Sequence, residues 1–484
     1  MNEIVALDAL ALSRSIRARE VSCREVMRAY LERIARVNPG LNAIVSMEPE
    51  QSLLAQADAC DAMLARGEWL GWMHGMPQAP KDLAQTRGLR TTWGSPIFRD
   101  FVPDQDAAIV ERVRAAGAIL VGKTNVPEFG LGSQTFNEVF GPTLNPWNPS
   151  KTAGGSSGGA AAALAARMLP VADGSDMMGS LRNPAAFCNV YGFRPSRGRV
   201  PNTLAPDAFS QQLATDGPMG RSVADLAMLL ATQAGYDARA PLSLGDDPSV
   251  FAQPLERDFS GARIGWLGDL GGHLPFEPGV LELCRNALKV FETLGCRVDE
   301  ARVDFAPDRM WRTWLAWRRF LVSGSLVAHY RDPGRRPLLK PEAVWEIEQG
   351  LATSALDVHD ASVDRTALYR AVLAAFEHFD FLVLPTAQVF PFDVTQRWPK
   401  SIAGREMDTY HRWMEVVILP TLTGCPALSV PAGFASEGEA AGLPMGIQIV
   451  GRPRDDLSVL QLGHAWDRAT DWARRVPPEP PQAA

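Results

Sequence analysis

The sequence predicts an α/β protein: one large domain over residues 1–475, with a central mixed β-sheet covered by helices on both faces. Three observations support this fold class. Short apolar strands alternate with amphipathic helices along the whole 484-residue chain, which favours a parallel or mixed sheet under helices. No linker-like segment divides the chain. The composition, 46% hydrophobic and 21% charged, is typical of soluble globular proteins.

The individual elements follow from local patterns. A capping box at Ser22 and Glu25 predicts the start of a first helix. A second amphipathic helix is predicted over 107–116, and a buried strand follows at 118–121. The remaining predicted elements, in chain order, are a helix from Gly158, strands at 169–172 and 264–267, a helix over 278–294, strands at 297–298, 381–384, 427–430 and 446–450, and a final helix from 455 to 466.

Two segments depart from this alternation. Residues 305–375, which include a Trp-rich stretch, are predicted to form a helical excursion over the core. Residues 476–484 are rich in proline and are predicted to be a disordered tail.

Charge and composition exclude several classes of function. The net charge of −7 argues against nucleic acid or an anionic membrane as the main partner. The six cysteines show no paired spacing, which indicates free thiols in a reducing compartment. The N-terminus does not resemble a signal peptide, and no apolar run approaches the ~18 residues of a membrane span. We therefore expect a cytoplasmic protein with no membrane span, no metal and no other cofactor.

Two motifs in the chain are misleading. Residues 117–124 match the P-loop pattern G-x4-G-K-T, but a helix precedes them and their middle is an apolar strand instead of a loop. Residues 154–158 match G-x-S-x-G, the nucleophile elbow of α/β-hydrolases, but the preceding residues are polar and turn-forming. The later histidines lie in no informative context. We therefore expect neither a nucleotide site nor a Ser-His-Asp triad.

Ser156 and Ser180, 24 residues apart, each lie beside a glycine, which lets a backbone or substrate approach closely. A phosphate cradle at a helix start would explain the first glycine turn but not Ser180. A nucleophilic serine needs a base, and a buried neutral lysine is a known alternative to histidine. Lys81 lies in an apolar, proline-framed segment of a chain whose other basic residues are mostly arginine, so it is the candidate base.

The full set of motifs resembles the amidase signature family. The similarity covers about residues 5–470, and the order of the motifs makes it specific. The residues that carry it are 74–82, 91–95, 122–125, 128–129, 154–159, 180–182, 426–433 and 443–451.

The resemblance implies the amidase signature fold and a Ser-cisSer-Lys triad. By matching motif, Lys81 is the base, Ser156 the bridging serine and Ser180 the nucleophile of an acyl-enzyme mechanism. Ser157 is expected to hydrogen-bond near the lysine, and Asp176 and Arg182 are expected to pair and fix the shape of the nucleophile's turn.

The family also implies an oxyanion hole made of backbone N–H groups, here those of Met177, Met178, Gly179 and Ser180. This segment departs from the usual D-T-G-G-S, because the chain reads D-M-M-G-S. A methionine in place of glycine restricts the backbone and adds bulk. We therefore expect either that Met178 narrows the acyl side of the pocket or that the local turn differs from that of the family.

The predicted activity is hydrolysis of a small non-peptide amide with an apolar or aromatic part. Phe129, Trp311, Trp314 and Trp317 are the candidate pocket residues, although the three tryptophans fit a helix core at least as well. The alternative is an amidotransferase A-type subunit that supplies ammonia to a partner. That branch typically has I-R-Q after the serine, whereas this chain has L-R-N, which favours the hydrolase. A homodimer is compatible with the sequence.

Overall fold

An eight-stranded mixed β-sheet lies at the centre of the structure. The computed structural model describes residues 3–479. In chain order the strands are β1 (Val171–Asp176), β2 (Tyr191–Arg194), β3 (Thr215–Gly220), β4 (Arg263–Trp266), β5 (Arg297–Glu300), β6 (Phe381–Pro385), β7 (Ala427–Phe434) and β8 (Pro444–Val450). Their spatial order is β1-β3-β2-β7-β8-β6-β4-β5. The neighbours β6, β4 and β5 run parallel, and the other adjacent pairs are antiparallel.

The helices are α1 (Glu3–Ala6), α2 (Ala9–Arg17), α3 (Cys23–Val37), α4 (Glu50–Ala65), α5 (Ala108–Ala115), α6 (Gly158–Ala165), α7 (Arg182–Cys188), α8 (Val223–Gln233), α9 (Val280–Ala287), α10 (Lys289–Thr293), α11 (Pro307–Arg331), α12 (Pro341–Leu351), α13 (Ala355–His378), α14 (Ile418–Thr423) and α15 (Asp456–Ala469). Every residue of β8 and all but the last of β7 are buried. Because side chains alternate between the faces of a strand, both faces of the sheet are covered at its centre.

The mixed sheet and most of its strands confirm the predictions. The strands predicted from 169 onward correspond to β1, β4, β5, β6, β7 and β8, and the predicted capping box starts α3. The predicted strand at 118–121 is shorter and lies outside the sheet, where Ile119–Leu120 pairs with Pro77–Gln78. The sequence analysis missed β2 and β3. Both contain glycine, and β3 also contains proline, so neither shows the alternation of apolar and polar residues that predicts a strand.

The segment 305–375 forms the long helices α11 and α12 and most of α13, and α11 packs against the other two. Within residues 3–479, no helix is long and apolar enough to cross a membrane. The six cysteines are buried free thiols. Near the C-terminus, the Glu479 carboxylate lies 2.6 Å from the buried guanidinium of Arg33. The rest of the predicted tail, residues 480–484, lies outside the described residues.

Candidate active site

Lys81 is held by the short strand before it and by β1. It follows Pro77–Gln78 and Pro80, and it pairs with Thr124 in an isolated parallel bridge. Its backbone N–H donates to the Asp173 carboxylate of β1 at 3.0 Å. The side chain is only 1% exposed. These main-chain contacts direct a buried amine towards the glycine-rich turn that precedes α6.

Three serine hydroxyls surround the Lys81 amine. The distances from Nζ are 2.8 Å to Ser156 Oγ, 2.8 Å to Ser157 Oγ and 2.9 Å to Ser175 Oγ. The Ser175 carbonyl oxygen lies 3.3 Å away. A neutral amine carries two N–H donors and one lone pair, so in that state one hydroxyl can donate to Nζ. The structure thus brings Lys81, Ser156 and Ser157 together, and it adds Ser175, which the sequence analysis missed.

Burial lowers the pKa of Lys81 from its usual 10.5 to about 7. Three carboxylates, those of Asp216, Asp173 and Asp176, oppose the effect of burial by favouring the charged form. Asp216 lies on β3 directly opposite Ser175 of β1, so it belongs to the same patch of sheet as the serine that contacts the amine. At neutral pH a substantial fraction of Lys81 is therefore uncharged.

The turn that carries Ser156 and Ser157 packs tightly against the segment 133–135. The peptide bond between Gly155 and Ser156 is cis. The Ser133 hydroxyl donates to the Gly155 carbonyl oxygen at 2.5 Å. A Cβ added at Gly155 would lie 3.0 Å from Thr135 Oγ1, so a side chain at this position would require its neighbours to shift. Ser157 also ties this turn to the second one, because its N–H donates to the Ser180 carbonyl oxygen at 3.2 Å.

A buried ion pair fixes the turn that carries Ser180. Arg182 Nε donates to Asp176 Oδ2 and Arg182 Nη2 donates to Asp176 Oδ1, both at 3.0 Å. Burial alone would raise the pKa of Asp176, but Arg182 and Arg194 outweigh it and hold that pKa well below the usual range. Asp176 also accepts the N–H of Leu181 at 3.2 Å. The carboxylate therefore joins the end of β1 to the start of α7 across the Ser180 turn.

The predicted oxyanion hole needs one correction. The Gly179 N–H donates to Asp176 Oδ1 at 2.8 Å, so it is not free to donate to a substrate oxygen. Among residues 3–479, no acceptor takes the N–H of Met177, Met178 or Ser180. Gly179 itself adopts φ +81°, and an added Cβ would lie 2.7 Å from Asn183 Oδ1. Gly179 therefore allows the conformation of the turn, and the N–H groups of Met177, Met178 and Ser180 remain without a protein acceptor in the described part of the chain.

A cavity of about 740 Å³, including its open mouth, lies beside the two serines. Both Ser156 and Ser180 line it, together with Ser175, and most of the other lining residues are apolar. Those other residues are Leu83, Phe129, Gly130, Leu131, Gly132, Met177, Met178, Ala214, Arg318, Leu321, Val322, Ser325, Leu326 and Met414. Phe129 is among the lining residues, and the Met177–Met178 pair lies in the wall of the cavity.

The prediction that Trp311, Trp314 and Trp317 line the pocket is wrong. All three are buried in the hydrophobic core, and the rings of Trp311 and Trp314 pack against His411. Helix α11 does form a wall of the cavity, but with residues nearer its C-terminus, from Arg318 to Leu326. The spacing of 318, 321, 322, 325 and 326 is that of a single helical face. The pocket face therefore begins one turn after Trp314.

The P-loop-like segment 117–124 does not form a phosphate-binding loop. In the P-loop-like segment, Gly117 ends the turn after α5, and Ile119–Leu120 is a strand. Lys123 donates to the Ala84 carbonyl oxygen at 2.5 Å and to Thr86 Oγ1 at 2.7 Å, so its amine is occupied by the protein. Within residues 3–479, no group of three or more His, Cys, Asp or Glu residues could hold a metal ion.

The comparisons with known proteins agree with this geometry. A family model described as Amidase matches residues 25–460. The chain belongs to the amidase signature family. A solved bacterial aryl acylamidase of this family superimposes on this amidase with a TM-score of 0.88 and 30% sequence identity, over 96% of this chain and 97% of that one. This amidase is accordingly an amide-hydrolysing enzyme.

Relatives of this amidase differ in their described roles. The A-type subunit of the glutamyl-tRNA(Gln) amidotransferase of Thermosynechococcus vestitus is 35% identical, over 96% of this chain and 98% of its own length. The acylamidase of Rhodococcus erythropolis is 34% identical, over 97% of both chains. The two identities are nearly equal. The choice between a stand-alone hydrolase and a component of a complex therefore depends on the site of this amidase itself.

Proposed function

We propose that this amidase is a stand-alone hydrolase of small amides with an apolar or aromatic group, and that Ser180 carries the acyl-enzyme. One observation carries the proposal. The buried Lys81 amine, with a pKa lowered to about 7, lies 2.8 Å from Ser156 Oγ, and both Ser156 and Ser180 line an apolar cavity. A neutral amine can act as the base that a serine nucleophile requires.

In the proposed acylation step, Ser180 Oγ attacks the amide carbonyl carbon, and the proton of Ser180 passes to Ser156 Oγ. Ser156 in turn passes its own proton to the lone pair of Lys81 Nζ. When the tetrahedral intermediate breaks down, Ser156 donates a proton to the leaving amine nitrogen and regains one from Lys81. Water then attacks the acyl-enzyme along the same proton path, which releases the acid and restores the starting protonation state.

The charge that develops on the substrate oxygen needs hydrogen-bond donors. We infer that the N–H groups of Met177, Met178 and Ser180 supply them, because these three have no protein acceptor among residues 3–479. In comparable sites each such donor contributes about 3 kcal/mol to transition-state stabilisation. Side-chain identity does not alter a backbone donor, so the two methionines keep this function while their side chains shape the cavity.

The lining of the cavity favours an apolar amide over an amino-acid amide. An amino-acid amide that supplied ammonia to a partner would bring an α-ammonium and an α-carboxylate group into the site. Among the described lining residues, none carries a carboxylate to pair with the ammonium group. The one charged lining residue, Arg318, is already paired with Glu346. An ammonia-supplying role in a complex therefore fits this cavity less well.

Labelling and turnover of the purified single chain test the proposal. A serine-reactive fluorophosphonate should label one site, which peptide mass spectrometry should assign to Ser180, and Ser180→Ala should abolish the label. Ser401→Ala removes an exposed serine that is not among the cavity-lining residues and should leave labelling unchanged. The same preparation should hydrolyse anilides of apolar acids and release little ammonia from glutamine or asparagine.

Two results would overturn the proposal. The first is a chain that neither reacts with fluorophosphonate nor hydrolyses any anilide. The second is efficient ammonia release from an amino-acid amide that depends on a partner protein, which would favour the amidotransferase role.

A further inference from the structure

Arg318 is a buried cation in the wall of the proposed substrate cavity. It is 3% exposed and is the one charged side chain among the described residues that line the cavity. It lies on the face of α11 that also carries Leu321, Val322, Ser325 and Leu326. A charged group is costly to bury unless it is paired and hydrogen-bonded. We therefore expect the contacts of Arg318 to include a partner of opposite charge.

Two neighbours fix the position of the guanidinium. Arg318 Nε donates to Glu346 Oε1 at 2.5 Å, and Arg318 Nη2 donates to the Tyr410 hydroxyl at 2.6 Å. Tyr410 in turn donates to the same Glu346 oxygen at 2.7 Å. The ring of Trp314 lies 5.6 Å from the guanidinium carbon. Held on these sides, the planar group has little freedom to turn away from the cavity.

The third nitrogen of Arg318 lacks a strong partner. Across residues 3–479, Nη1 has no oxygen acceptor, and its one hydrogen-bond partner is the thioether sulfur of Met177 at 3.8 Å. A thioether is a weak acceptor. Met177 also lines the cavity and stands three residues before Ser180. A substrate oxygen in this part of the cavity would therefore give Nη1 a better partner than the sulfur does.

We propose that Arg318 forms a specificity subsite for a neutral hydrogen-bond acceptor, such as a ketone, ether or nitro oxygen, on the apolar or aromatic part of the substrate. This inference rests on the proposed function. Glu346 balances the charge of Arg318, so the pair is neutral as a whole. A carboxylate would lose its hydration in the cavity without meeting a net positive charge. The subsite therefore selects a neutral acceptor over both a carboxylate and a hydrocarbon.

Matched anilides test this subsite. Three substrates carry an acetyl, an isopropyl or a carboxylate group at the para position of the acyl-side ring, and three more carry the same groups on the amine-side ring. In one of the two series, kcat/KM should be roughly 10- to 100-fold higher for acetyl than for isopropyl, as expected for a hydrogen bond to a charged donor. The carboxylate should be the poorest substrate of that series.

Variants then assign the preference to Arg318. Arg318→Met should remove the acetyl preference, so that the ratio of kcat/KM for the acetyl anilide to that for the isopropyl anilide falls to about one. Because that variant leaves Glu346 unpaired, Arg318→Met combined with Glu346→Gln provides a second, charge-balanced variant. The acetyl-to-isopropyl ratio is measured within one preparation, so a loss of folded enzyme does not alter it. Arg319→Met is the control, since Arg319 lies over Trp345 and does not line the cavity.

The outcomes separate this inference from the proposed function. Equal turnover of acetyl and isopropyl anilides, a preference for the carboxylate, or an acetyl preference that survives in both Arg318 variants overturns the subsite while hydrolysis stands. If no anilide is hydrolysed, affinities of the six compounds for Ser180→Ala, measured by calorimetry, decide the question. If Ser180→Ala binds the acetyl compound more tightly than the others, and adding Arg318→Met removes that difference, the subsite is supported although the proposed function fails. Equal affinities, or no binding, overturn both.

Discussion

Lys81 Nζ lies 2.8 Å from Ser156 Oγ, and both side chains are almost fully buried, at 1% and 2% exposure. The other hydroxyls on the amine, from Ser157 and Ser175, are neutral as well. An amine that is removed from water and surrounded by neutral hydroxyls favours its uncharged form. This hydrogen bond therefore connects a serine that has to pass on a proton to the group that can accept it.

The acid limb of the pH–rate profile should report Lys81. Its pKa is about 7, so the amine is protonated at lower pH and cannot act as a base. We expect kcat/KM for an anilide to fall by about tenfold per pH unit below that value and to level off above it. Steady-state kinetics checks this, with circular dichroism at each pH to confirm that the enzyme stays folded. A profile that is flat well below neutral pH in folded enzyme would refute the assignment.

Asp216→Asn should move the same limb to lower pH. In its ionised form the Asp216 carboxyl raises the pKa of Lys81, as do Asp173 and Asp176. Burial raises the pKa of Asp216 itself to about 7, so its charge acts on Lys81 only in part at neutral pH and the expected displacement of the limb is small. Removing this negative charge should lower the pKa of Lys81, because burial then acts against fewer charges that favour the protonated amine. Comparison of the pH profiles of wild type and variant checks the direction. Asp258→Asn, at an exposed position, is the control, and a limb that does not move or moves to higher pH would contradict the prediction.

Lys81→Met and Ser156→Ala should each lower kcat by roughly 10²- to 10⁴-fold, the usual contribution of general acid–base catalysis. Because both groups belong to one proton path, the double variant should be little slower than the slower single variant. Single-turnover kinetics of the four enzymes forms the double-mutant cycle. Effects that simply multiply would show that Lys81 and Ser156 act independently.

Asp176→Asn should destabilise the fold as well as lower activity. Asp176 is fully buried and pairs with Arg182 and Arg194, so the variant leaves cationic partners without their carboxylate. Breaking a buried pair in this way costs about 3–5 kcal/mol in the free energy of unfolding. Urea titration measures it, with Glu68→Gln in an exposed pair with Arg66 as a control that should leave stability unchanged. Equal stability of Asp176→Asn and wild type would show that the pair does not fix the turn.

Met178→Ala should widen the cavity. Met178 is 3% exposed and lies in the wall, while its backbone N–H is unaffected by the substitution. The ratio of kcat/KM for a pivaloyl anilide to that for an acetyl anilide should therefore rise. Met76→Ala truncates a buried methionine in another hydrophobic cluster and should not change the ratio, although both variants should lose about 2–5 kcal/mol of stability. An unchanged ratio in Met178→Ala would exclude Met178 as a size filter.

The sequence predicted most of the sheet because its strands follow from short-range patterns, whereas the triad is an expectation that the family resemblance implies. Apolar runs predict β4, β6, β7 and β8, and the ordered motifs around Lys81, Ser156 and Ser180 give the site. The strand β3 carries no such pattern, so Asp216 and its place opposite Ser175 were missed. Only the register of two strands distant in sequence brings that carboxylate near Lys81.

The pocket was harder to predict for a related reason. Helix α11 carries both the three tryptophans and part of the cavity wall. The tryptophans are buried in the hydrophobic core, where Trp311 packs against His411. The helical spacing from Trp311 and Trp314 continues to Arg318 and Leu321, and an arginine in an otherwise apolar stripe was the signal that could have indicated the pocket. The sequence likewise does not show that the Gly179 N–H donates to Asp176, because this hydrogen bond depends on the conformation of the turn.

Direct titration of Lys81 tests the central claim. The chain has six lysines, so the spectrum of enzyme labelled with carbon-13 at the lysine ε position is simple, and Lys81→Met assigns the signal. Lys123 and Lys340 also have pKa values lowered by burial, to about 8, and should titrate separately. We expect the Lys81 signal to titrate with a pKa of about 7 in the folded enzyme. Titration near 10.5, the usual value for lysine, would contradict a neutral Lys81 base and with it the proposed mechanism.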